Sequence, residues 1–203
     1  PMKKTTFGVV GAGRIGKIHA DNLLAMPSVR LKSVADPYLN PDDWSSRGIA
    51  PTLDPADVFN DSEIDAVLIC SPTPTHAEFT EIAAKTGKHV FCEKPIALDP
   101  DRIRETLEVV DQAGVKLQVG FNRRFDPTFA RVRQAVVDGE IGDVHLVKVV
   151  ARDPSPPPPE YVADSGGMFL DMTIHDFDMV RFLSGSEVEE VQAFGAVLVD
   201  PAI

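Results

Sequence analysis

Three side chains that could carry out acid–base chemistry recur at helical spacing in the segment GGMFLDMTIHDFD, residues 166–178. Asp171, His175 and Asp178 lie four and three residues apart, and side chains at this spacing share one face of a helix. An imidazole beside a carboxylate can move a proton near neutral pH. A solvated polar face or an N-terminal cap would show the same spacing, so the pattern alone leaves these interpretations open.

A glycine-rich turn, VVGAGRIG, has the spacing that holds the phosphates of a dinucleotide. Gly11 allows a tight turn after a strand, Gly13 lets backbone amides approach a pyrophosphate, and Gly16 lets the next helix pack closely. The N-terminus of that helix favours an anion.

An acidic residue follows the glycine turn at the distance expected for a ribose contact. Asp36 lies 20 residues after Gly16, at the end of the next predicted strand. A carboxylate there can accept hydrogen bonds from both ribose hydroxyls of NAD and would repel a 2′-phosphate. The alternative is that Asp36 only starts the turn of its Asp-Pro pair.

Lys94 lies in the segment CEKP, residues 92–95, at the C-terminal end of another predicted strand. Open α/β sheets bind their ligands at this edge, and the following proline keeps the backbone of Lys94 extended. Lys94 is therefore a candidate donor to an alcohol oxygen, although an isolated lysine is ordinarily a solvated surface group.

The scaffold for these residues is predicted by short apolar runs that alternate with helical segments. Strands are predicted at residues 5–10, 30–35, 65–70, 88–92 and 115–120, with helices at 14–26, 74–86 and 99–113. This alternation is typical of a doubly wound parallel sheet, and it indicates an α/β Rossmann domain over residues 1–121. The proline-rich stretch 37–53 is predicted to be a loop or one short helix.

Residues 122–203 show the start of a second α/β domain. The predicted elements are helices at 126–139 and 167–184, strands at 143–153 and 188–199, and a proline-rich loop at 154–165. Within the loop, the run PSPPPP is interpreted as a stiff polyproline spacer in preference to a partner-binding motif, because it joins structured elements.

Composition excludes several classes of partner. The 203 residues carry 20 basic and 31 acidic side chains, a formal net charge of −11, without a basic block that could follow a nucleic-acid backbone. No signal peptide is recognisable and no apolar run reaches the roughly 20 residues of a membrane span, so a cytoplasmic protein is expected. Cys70 and Cys92 each end an apolar run, which favours buried thiols over a disulfide or a metal site.

Five segments carry a resemblance that spans the chain from Thr5 onward: GAGRIGKIHADNL, SPTPTH, CEKPI, GFNRRFDP and GGMFLDMTIHDFDM. With them the chain resembles the Gfo/Idh/MocA oxidoreductase family. The EKP and D-x-x-x-H segments are characteristic of that family, and RDPSPPPPEY followed by SGGMFLDMTIHD points to its inositol dehydrogenase branch. Members usually continue well beyond the end seen here, so only the first part of the substrate and oligomerisation domain is expected.

The resemblance implies NAD-dependent oxidation of a ring secondary alcohol, most simply of myo-inositol to 2-keto-myo-inositol (scyllo-inosose). It implies His175 as the general base, Lys94 as the cation that stabilises the developing alkoxide, and Asp171 as a group that orients the imidazole or binds a hydroxyl. The resemblance also places Arg124, Asp153 and Asp178 near the polyol hydroxyls. The residues expected to bind the cofactor are Gly11, Gly13, Arg14, Ile15, Gly16, Asp36, Ser71, Thr73, His76, Glu93 and Lys94.

Alternatives to this function stay open at the level of sequence. A metal bound by Asp171, His175 and Asp178 is conceivable, but hydride transfer to NAD beside a lysine requires no Lewis acid, so no metal is expected. The chain could belong to another sugar or aldose dehydrogenase of the family, or to a nucleotide-sensing regulator without catalysis. The resemblance also implies a homo-oligomer for the full-length form.

Overall fold

The computed structural model describes residues 3–152, 154–155, 157–158, 161–162 and 165–197. These residues divide into two units at the bond between Gly120 and Phe121. No helix in the described ranges is both long enough and apolar enough to cross a membrane.

The first unit is a six-stranded parallel sheet in the order β3-β2-β1-β4-β5-β6. Its strands are β1 Thr5–Val10, β2 Val29–Ala35, β3 Ala50–Thr52, β4 Ala66–Ile69, β5 His89–Cys92 and β6 Leu117–Val119. Its helices are α1 Arg14–Ala25, α2 Pro41–Ser45, α3 Pro55–Phe59, α4 His76–Lys85 and α5 Pro100–Ala113. The order reverses between β1 and β4, which is the doubly wound Rossmann topology, so the predicted fold class is confirmed.

Both faces of the sheet are buried, because successive side chains of a strand point to opposite faces. Val9 and Leu68 pack on the face that carries α1, in a cluster with Ala20. Their neighbours Val10 and Val67 pack on the other face, in a cluster that includes residues of α3 and α4. The continuous apolar runs of the strands reflect this double burial.

Both cysteines are buried and free, as their positions at the ends of apolar runs predict. Burial raises the pKa of the Cys92 thiol to about 12 and that of Cys70 well above its ordinary value. Neither thiol is therefore a nucleophile near neutral pH.

The stretch 37–53 forms more structure than its sequence predicts. The short helix α2 agrees with the prediction, but Ala50–Thr52 also pairs with β2 as the edge strand β3. Pro51 lies opposite Val34 in this pairing, and proline is tolerated in an edge strand because one side of that strand needs no partner. Three residues that include a proline make no recognisable strand pattern, so β3 depends on its neighbour β2.

Four helices begin with the same local motif, an Asn or Asp followed by proline. The cap side chains of α2, α3, α5 and of α6, which spans Pro127–Val137, each accept a hydrogen bond from the amide two residues later. The caps are Asn40, Asp54, Asp99 and Asp126. The proline that follows each cap is preorganised for the first helical position and has no amide to satisfy.

The second unit is built from α6 and from α7, which spans Ile174–Ser184. A 3₁₀ turn at Asn122–Phe125 precedes α6, and a π-helical turn at Phe169–Thr173 leads into α7. The two helices pack together, and the Arg133 guanidinium donates to the carbonyl oxygen of Leu183 at 3.2 Å. Both helices predicted for this part of the chain are confirmed, although the π turn interrupts the second after the helical residues Gly167 and Met168.

Two strand predictions in the second unit are wrong for the residues that the structure describes. Residues 143–152 and 188–197 are not in strands, and Leu146 and Phe194 are 82% and 89% exposed. A strand exists only where a neighbour satisfies its backbone groups, and the described part of this unit provides no such neighbour. The loop prediction is correct for residues 154, 155, 157 and 158, whereas Tyr161, Val162 and Ser165 are helical.

Candidate active site

The predicted cofactor residues lie at one edge of the first unit. Because all six strands are parallel, the residues that follow β1, β2, β4 and β5 lie at the same, carboxyl edge of the sheet. These positions include Gly11, Asp36, Ser71 and Lys94. This is the edge at which open α/β sheets bind ligands.

The three glycines of the turn differ in the space around them. Gly11 has a φ of +97°, and a Cβ there would lie 2.4 Å from the amide nitrogen of Ser71. A Cβ on Gly16 would lie 1.9 Å from the carbonyl oxygen of Gly11. A Cβ on Gly13 would meet no atom within 4 Å, so the space beside Gly13 is open to a ligand.

Helix α1 differs from the four capped helices because no side chain caps its N-terminus. Gly13 is the cap residue, and the first turn contains no acidic side chain. Arg14 is exposed at the first helical position, and Ile15 packs against the core. The first amides of α1 therefore suit an anion such as a pyrophosphate, and the residues present fit a dinucleotide.

Asp36 links the glycine turn to the turn after β2. One carboxylate oxygen accepts from the amide of Ala12 at 2.7 Å, and the other accepts from the amide of Tyr38 at 2.8 Å. Asp36 does start the Asp-Pro turn, as the alternative interpretation has it. A carboxylate offers about four acceptor positions, so two remain for ribose hydroxyls.

The residues after β4 form a hydrogen-bonded loop. The hydroxyl oxygens of Ser71 and Thr75 lie 2.6 Å apart. Thr73 lies in the 3₁₀ turn Thr73–Thr75 and lines a cleft of about 480 Å³ beside the start of α4. His76 is buried, and its ring nitrogens lie 2.7 Å from the carbonyl oxygens of Pro95 and Ser71. Both ring nitrogens of His76, a residue expected to contact the cofactor, thus face backbone carbonyl oxygens of the loops after β4 and β5.

Lys94 is half-buried at the end of β5, between Glu93 and the buried Pro95. The peptide bond between Lys94 and Pro95 is cis. Glu93 Oε1 lies 2.6 Å from Nε2 of His19, a residue of α1. Sequence reasoning missed His19, because no spacing rule relates a residue in α1 to one that lies 74 positions later.

The second unit contains a cleft of about 410 Å³, and two of the three side chains at helical spacing, Asp171 and His175, line it. Asp171 lies in the π turn, and His175 lies in the first turn of α7. The remaining lining residues are Arg123, Ala151, Arg152 and Met172. The Tyr161 hydroxyl donates to Asp171 at 3.1 Å. This cleft brings the predicted base His175 and the predicted carboxylate Asp171 together.

Asp178 does not line that cleft; its buried carboxylate pairs with the partly exposed Arg124. Its carboxylate accepts from Nε of Arg124 at 2.9 and 3.1 Å and from Nη2 at 2.5 Å. The guanidinium also lies 5.4 Å from the ring centre of Phe182, and the bond to Asp178 raises its pKa. Arg124 and Asp178, both expected near the substrate, are thus bonded to each other.

Arg123 is the arginine that lines the cleft, where it pairs with Asp176. The sequence presents two adjacent arginines, and no spacing rule distinguishes them. Asp153 lies outside the described residues. Among the described residues, no three His, Cys, Asp or Glu side chains are grouped as metal ligands.

Comparison with known proteins identifies the family. Residues 5–121 match the model of an oxidoreductase family with an NAD-binding Rossmann fold, and residues 129–202 match the GFO/IDH/MocA C-terminal domain. These matches confirm the predicted NAD-binding Rossmann domain and the start of a second domain.

Individual relatives agree with this assignment. An inositol 2-dehydrogenase of Rhizobium meliloti is 50% identical over 97% of this chain and 60% of its own length. A solved structure from Sinorhizobium meliloti is 49% identical with a TM-score of 0.94, over 98% of this chain and 61% of that one. The scyllo-inositol dehydrogenase of Lactobacillus casei, solved with NAD(H) and scyllo-inositol, is 36% identical with a TM-score of 0.76, over 90% of this chain and 57% of that one.

The chain spans about 60% of the length of the curated relatives that it matches. The two family models together cover nearly all of this chain. The glycine turn lies in the first match and the D-x-x-x-H segment in the second. The chain therefore belongs to the Gfo/Idh/MocA oxidoreductase family.

Proposed function

We propose that this protein is an NAD-dependent dehydrogenase that oxidises a ring secondary alcohol of a cyclic polyol, with myo-inositol as the leading substrate and 2-keto-myo-inositol as its product. The observation that carries the proposal is the cleft of the second unit, which Asp171 and His175 line together. A general base must come within hydrogen-bonding reach of the proton that it removes, so a base that faces a cleft is required.

The proposed roles follow from the chemistry of alcohol oxidation. NAD supplies the hydride acceptor. His175 removes the hydroxyl proton, and Lys94 stabilises the negative charge that develops on the carbinol oxygen. Asp171 orients the imidazole or accepts a neighbouring hydroxyl. Tyr161, which donates to Asp171, restricts the orientation of that carboxylate.

The proposed substrate class suits the lining of the cleft. A carboxylate, an imidazole and a guanidinium offer both donors and acceptors, and a ring with several hydroxyls presents both in return. Arg123 is the proposed donor, in place of Arg124. The names of the relatives point to inositols, of which myo- and scyllo-inositol are the two candidates to compare first.

The test is a measurement of NADH formation with myo-inositol, scyllo-inositol and a set of hexoses. We expect turnover with an inositol, and we expect His175→Ala to lower it by about 10²- to 10⁴-fold, the usual contribution of a positioned general base. NAD⁺ affinity, measured in parallel by calorimetry, should not change in His175→Ala. Near-native turnover of His175→Ala would contradict the assignment of the base.

A hexose preferred over every inositol would favour the alternative of a sugar or aldose dehydrogenase. NAD⁺ binding without NADH formation on any polyol would favour a nucleotide-sensing regulator. We also propose a cytoplasmic homo-oligomer, which the family resemblance supports, and light scattering on the purified protein would measure its mass.

A further inference from the structure

We propose that His19 and His76 are positioning residues that hold the two neighbours of Lys94, one from each face of the sheet. His19 contacts Glu93, and His76 contacts Pro95. We call these two contacts the histidine clamp. The inference rests on the proposed function, in which Lys94 acts on the carbinol oxygen.

The first half of the clamp joins Glu93 to helix α1. His19 Nε2 lies 2.6 Å from Glu93 Oε1, and only about a fifth of either side chain is exposed (22% and 18%). The imidazole also packs edge-on against Phe91, with ring centres 5.0 Å apart. The ring is therefore held by contacts on two sides, and Glu93 is tied to the helix that begins at the glycine turn.

Glu93 is restricted on its other sides as well. Its amide donates to the carbonyl oxygen of Ile69 at 3.0 Å. Its second carboxylate oxygen lies against Gly120, where an added Cβ would come within 2.7 Å of it. The glycine after β6 therefore leaves room for a carboxylate that is already bonded to α1.

The second half of the clamp joins Pro95 to helix α4. His76 is 2% exposed, and its Nδ1 lies 2.7 Å from the Pro95 carbonyl oxygen. Its Nε2 lies 2.7 Å from the Ser71 carbonyl oxygen. A carbonyl oxygen can only accept, and a neutral imidazole carries one N–H, so the tautomer decides which of the two contacts is the hydrogen bond. His76 thus ties the loop after β5 to the loop after β4.

Both halves act on the same point of the sheet edge. Helix α1 belongs to one core cluster and α4 to the other, so the residues on either side of Lys94 are held from opposite faces. The two halves of a Rossmann sheet bind the two halves of a dinucleotide, and Asp36 at the end of β2 marks the adenosine half. Lys94 at the end of β5 belongs to the other, nicotinamide half. The clamp should therefore affect binding of the nicotinamide half of the cofactor and not of the adenosine half.

The test exploits the two ring nitrogens of His76. A carboxamide in His76→Asn places a donor near the position of Nδ1, which faces Pro95, whereas His76→Gln places one near Nε2, which faces Ser71. Each variant keeps one of the two contacts, so the pair is matched in polarity. Affinities for NAD⁺ and for ADP-ribose, which lacks the nicotinamide, are measured by calorimetry, with melting temperatures as the control for folding.

We expect His76→Gln to weaken NAD⁺ binding by about tenfold, the effect of losing one net hydrogen bond, with ADP-ribose affinity within about twofold of wild type. His76→Asn, which keeps the contact with Pro95, should bind NAD⁺ about as tightly as wild type. The pair His19→Gln, which keeps a donor near Nε2, and His19→Asn, which does not, should behave in the same way at Glu93. That second pair keeps the inference testable if a variant of the buried His76 does not fold.

A purely structural role would weaken NAD⁺ and ADP-ribose binding equally, or would make the two carboxamides equivalent, and either result would overturn the clamp. If wild-type protein does not bind NAD⁺, the proposed function fails and the clamp fails with it. Wild-type binding that is unaffected in all four variants would overturn the clamp and leave the proposed function standing.

Discussion

At the scale of single residues, Asp36 shows how one carboxylate can serve both the fold and a ligand. Its two oxygens accept from the amides of Ala12 and Tyr38, on the glycine turn and on the turn after β2. These bonds hold the carboxylate at the edge of the sheet with acceptor positions to spare. A preformed carboxylate at this position favours a ribose diol and disfavours a 2′-phosphate.

We expect wild-type protein to bind NAD⁺ more tightly than NADP⁺, and Asp36→Ala to narrow the difference. The loss of a hydrogen bond to a charged group costs about 1.5–3 kcal/mol, so NAD⁺ affinity should fall by roughly ten- to a hundredfold. Asp42→Ala, which removes an exposed carboxylate of α2, is the matched control. Equal affinities of the wild-type protein for the two cofactors would contradict this reading.

At the scale of elements, the start of α1 separates two glycines that the fold requires from one, Gly13, that we propose faces the cofactor. Gly16 packs against the backbone of Gly11, whereas Gly13 faces open space with a φ of −66° that any residue can adopt. The turn and the helix thus depend on Gly11 and Gly16. The proposed anion site would use the open space beside Gly13 and the uncapped amides that follow it.

Gly13→Ala should leave the free energy of unfolding within about 0.5 kcal/mol of wild type, as for a substitution without a clash, while it weakens NAD⁺ binding. Gly16→Ala should destabilise the protein by about 1–3 kcal/mol or more, because its Cβ would overlap the Gly11 carbonyl oxygen. Urea unfolding and calorimetry measure the two effects. Two variants with the same profile would show that these glycines have a common role.

The junction between the 3₁₀ turn Asn122–Phe125 and α7 contains an ion pair whose carboxylate is buried and whose arginine is partly exposed. Asp178 is 6% exposed, and Arg124 is its bidentate partner. Removal of one member of such a pair leaves an uncompensated buried charge. The pair also lies one helical turn after His175, so it anchors the part of α7 that presents the proposed base.

Arg124→Met should therefore lower the free energy of unfolding by about 1–3 kcal/mol, because it leaves the buried Asp178 carboxylate without its partner, while solvent around the 39% exposed Arg124 side chain screens part of the pair. The control is Arg181→Met, which removes an exposed pair with Glu187 and should change the free energy of unfolding much less, because solvent screens that pair. Urea unfolding of both variants gives the comparison. If Arg124→Met is as stable as the control, the ion pair does not anchor α7, and a role of Arg124 and Asp178 at the substrate stays the better explanation.

At the scale of the whole molecule, the net charge of −11 makes the ionisation of carboxylates important for stability. Hydrogen bonding by the Lys32 ammonium lowers the pKa of Asp61. Hydrogen bonds from the Thr6 amide and, to a smaller extent, from the Lys3 ammonium lower the pKa of Asp65. A carboxylate whose pKa is lower in the folded state stabilises that state fully above its ordinary pKa, and this contribution is lost as the pH falls through the folded value.

The free energy of unfolding should accordingly fall as the pH drops below 3.8, the ordinary pKa of these aspartates. Asp65→Asn keeps an acceptor for the Thr6 amide but cannot ionise, so it should flatten this dependence. Urea unfolding at a series of acidic pH values measures the slope. An unchanged slope in Asp65→Asn would show that other carboxylates account for the acid sensitivity.

Much of the first unit was predictable because its signals are local. Five of its six strands and the helices α1, α4 and α5 follow from hydrophobic periodicity and from glycine and proline signals at their ends. Helices α2 and α3 carry Asn-Pro and Asp-Pro caps that could have located both, although only the first was anticipated, and then as one of two options. Strand β3 had no such signal, since its three residues are a strand only beside β2.

The sequence by itself determined the family, the glycine turn, the acidic residue after β2 and the spacing of Asp171, His175 and Asp178, because each depends on residues close together in the chain. Only the tertiary structure decided that Asp171 and His175 line a cleft while Asp178 is buried against Arg124. It also selected Arg123 over its neighbour for the cleft, and it paired the histidines of α1 and α4 with the neighbours of Lys94. Such choices depend on which distant groups folding brings together, and no local pattern encodes them.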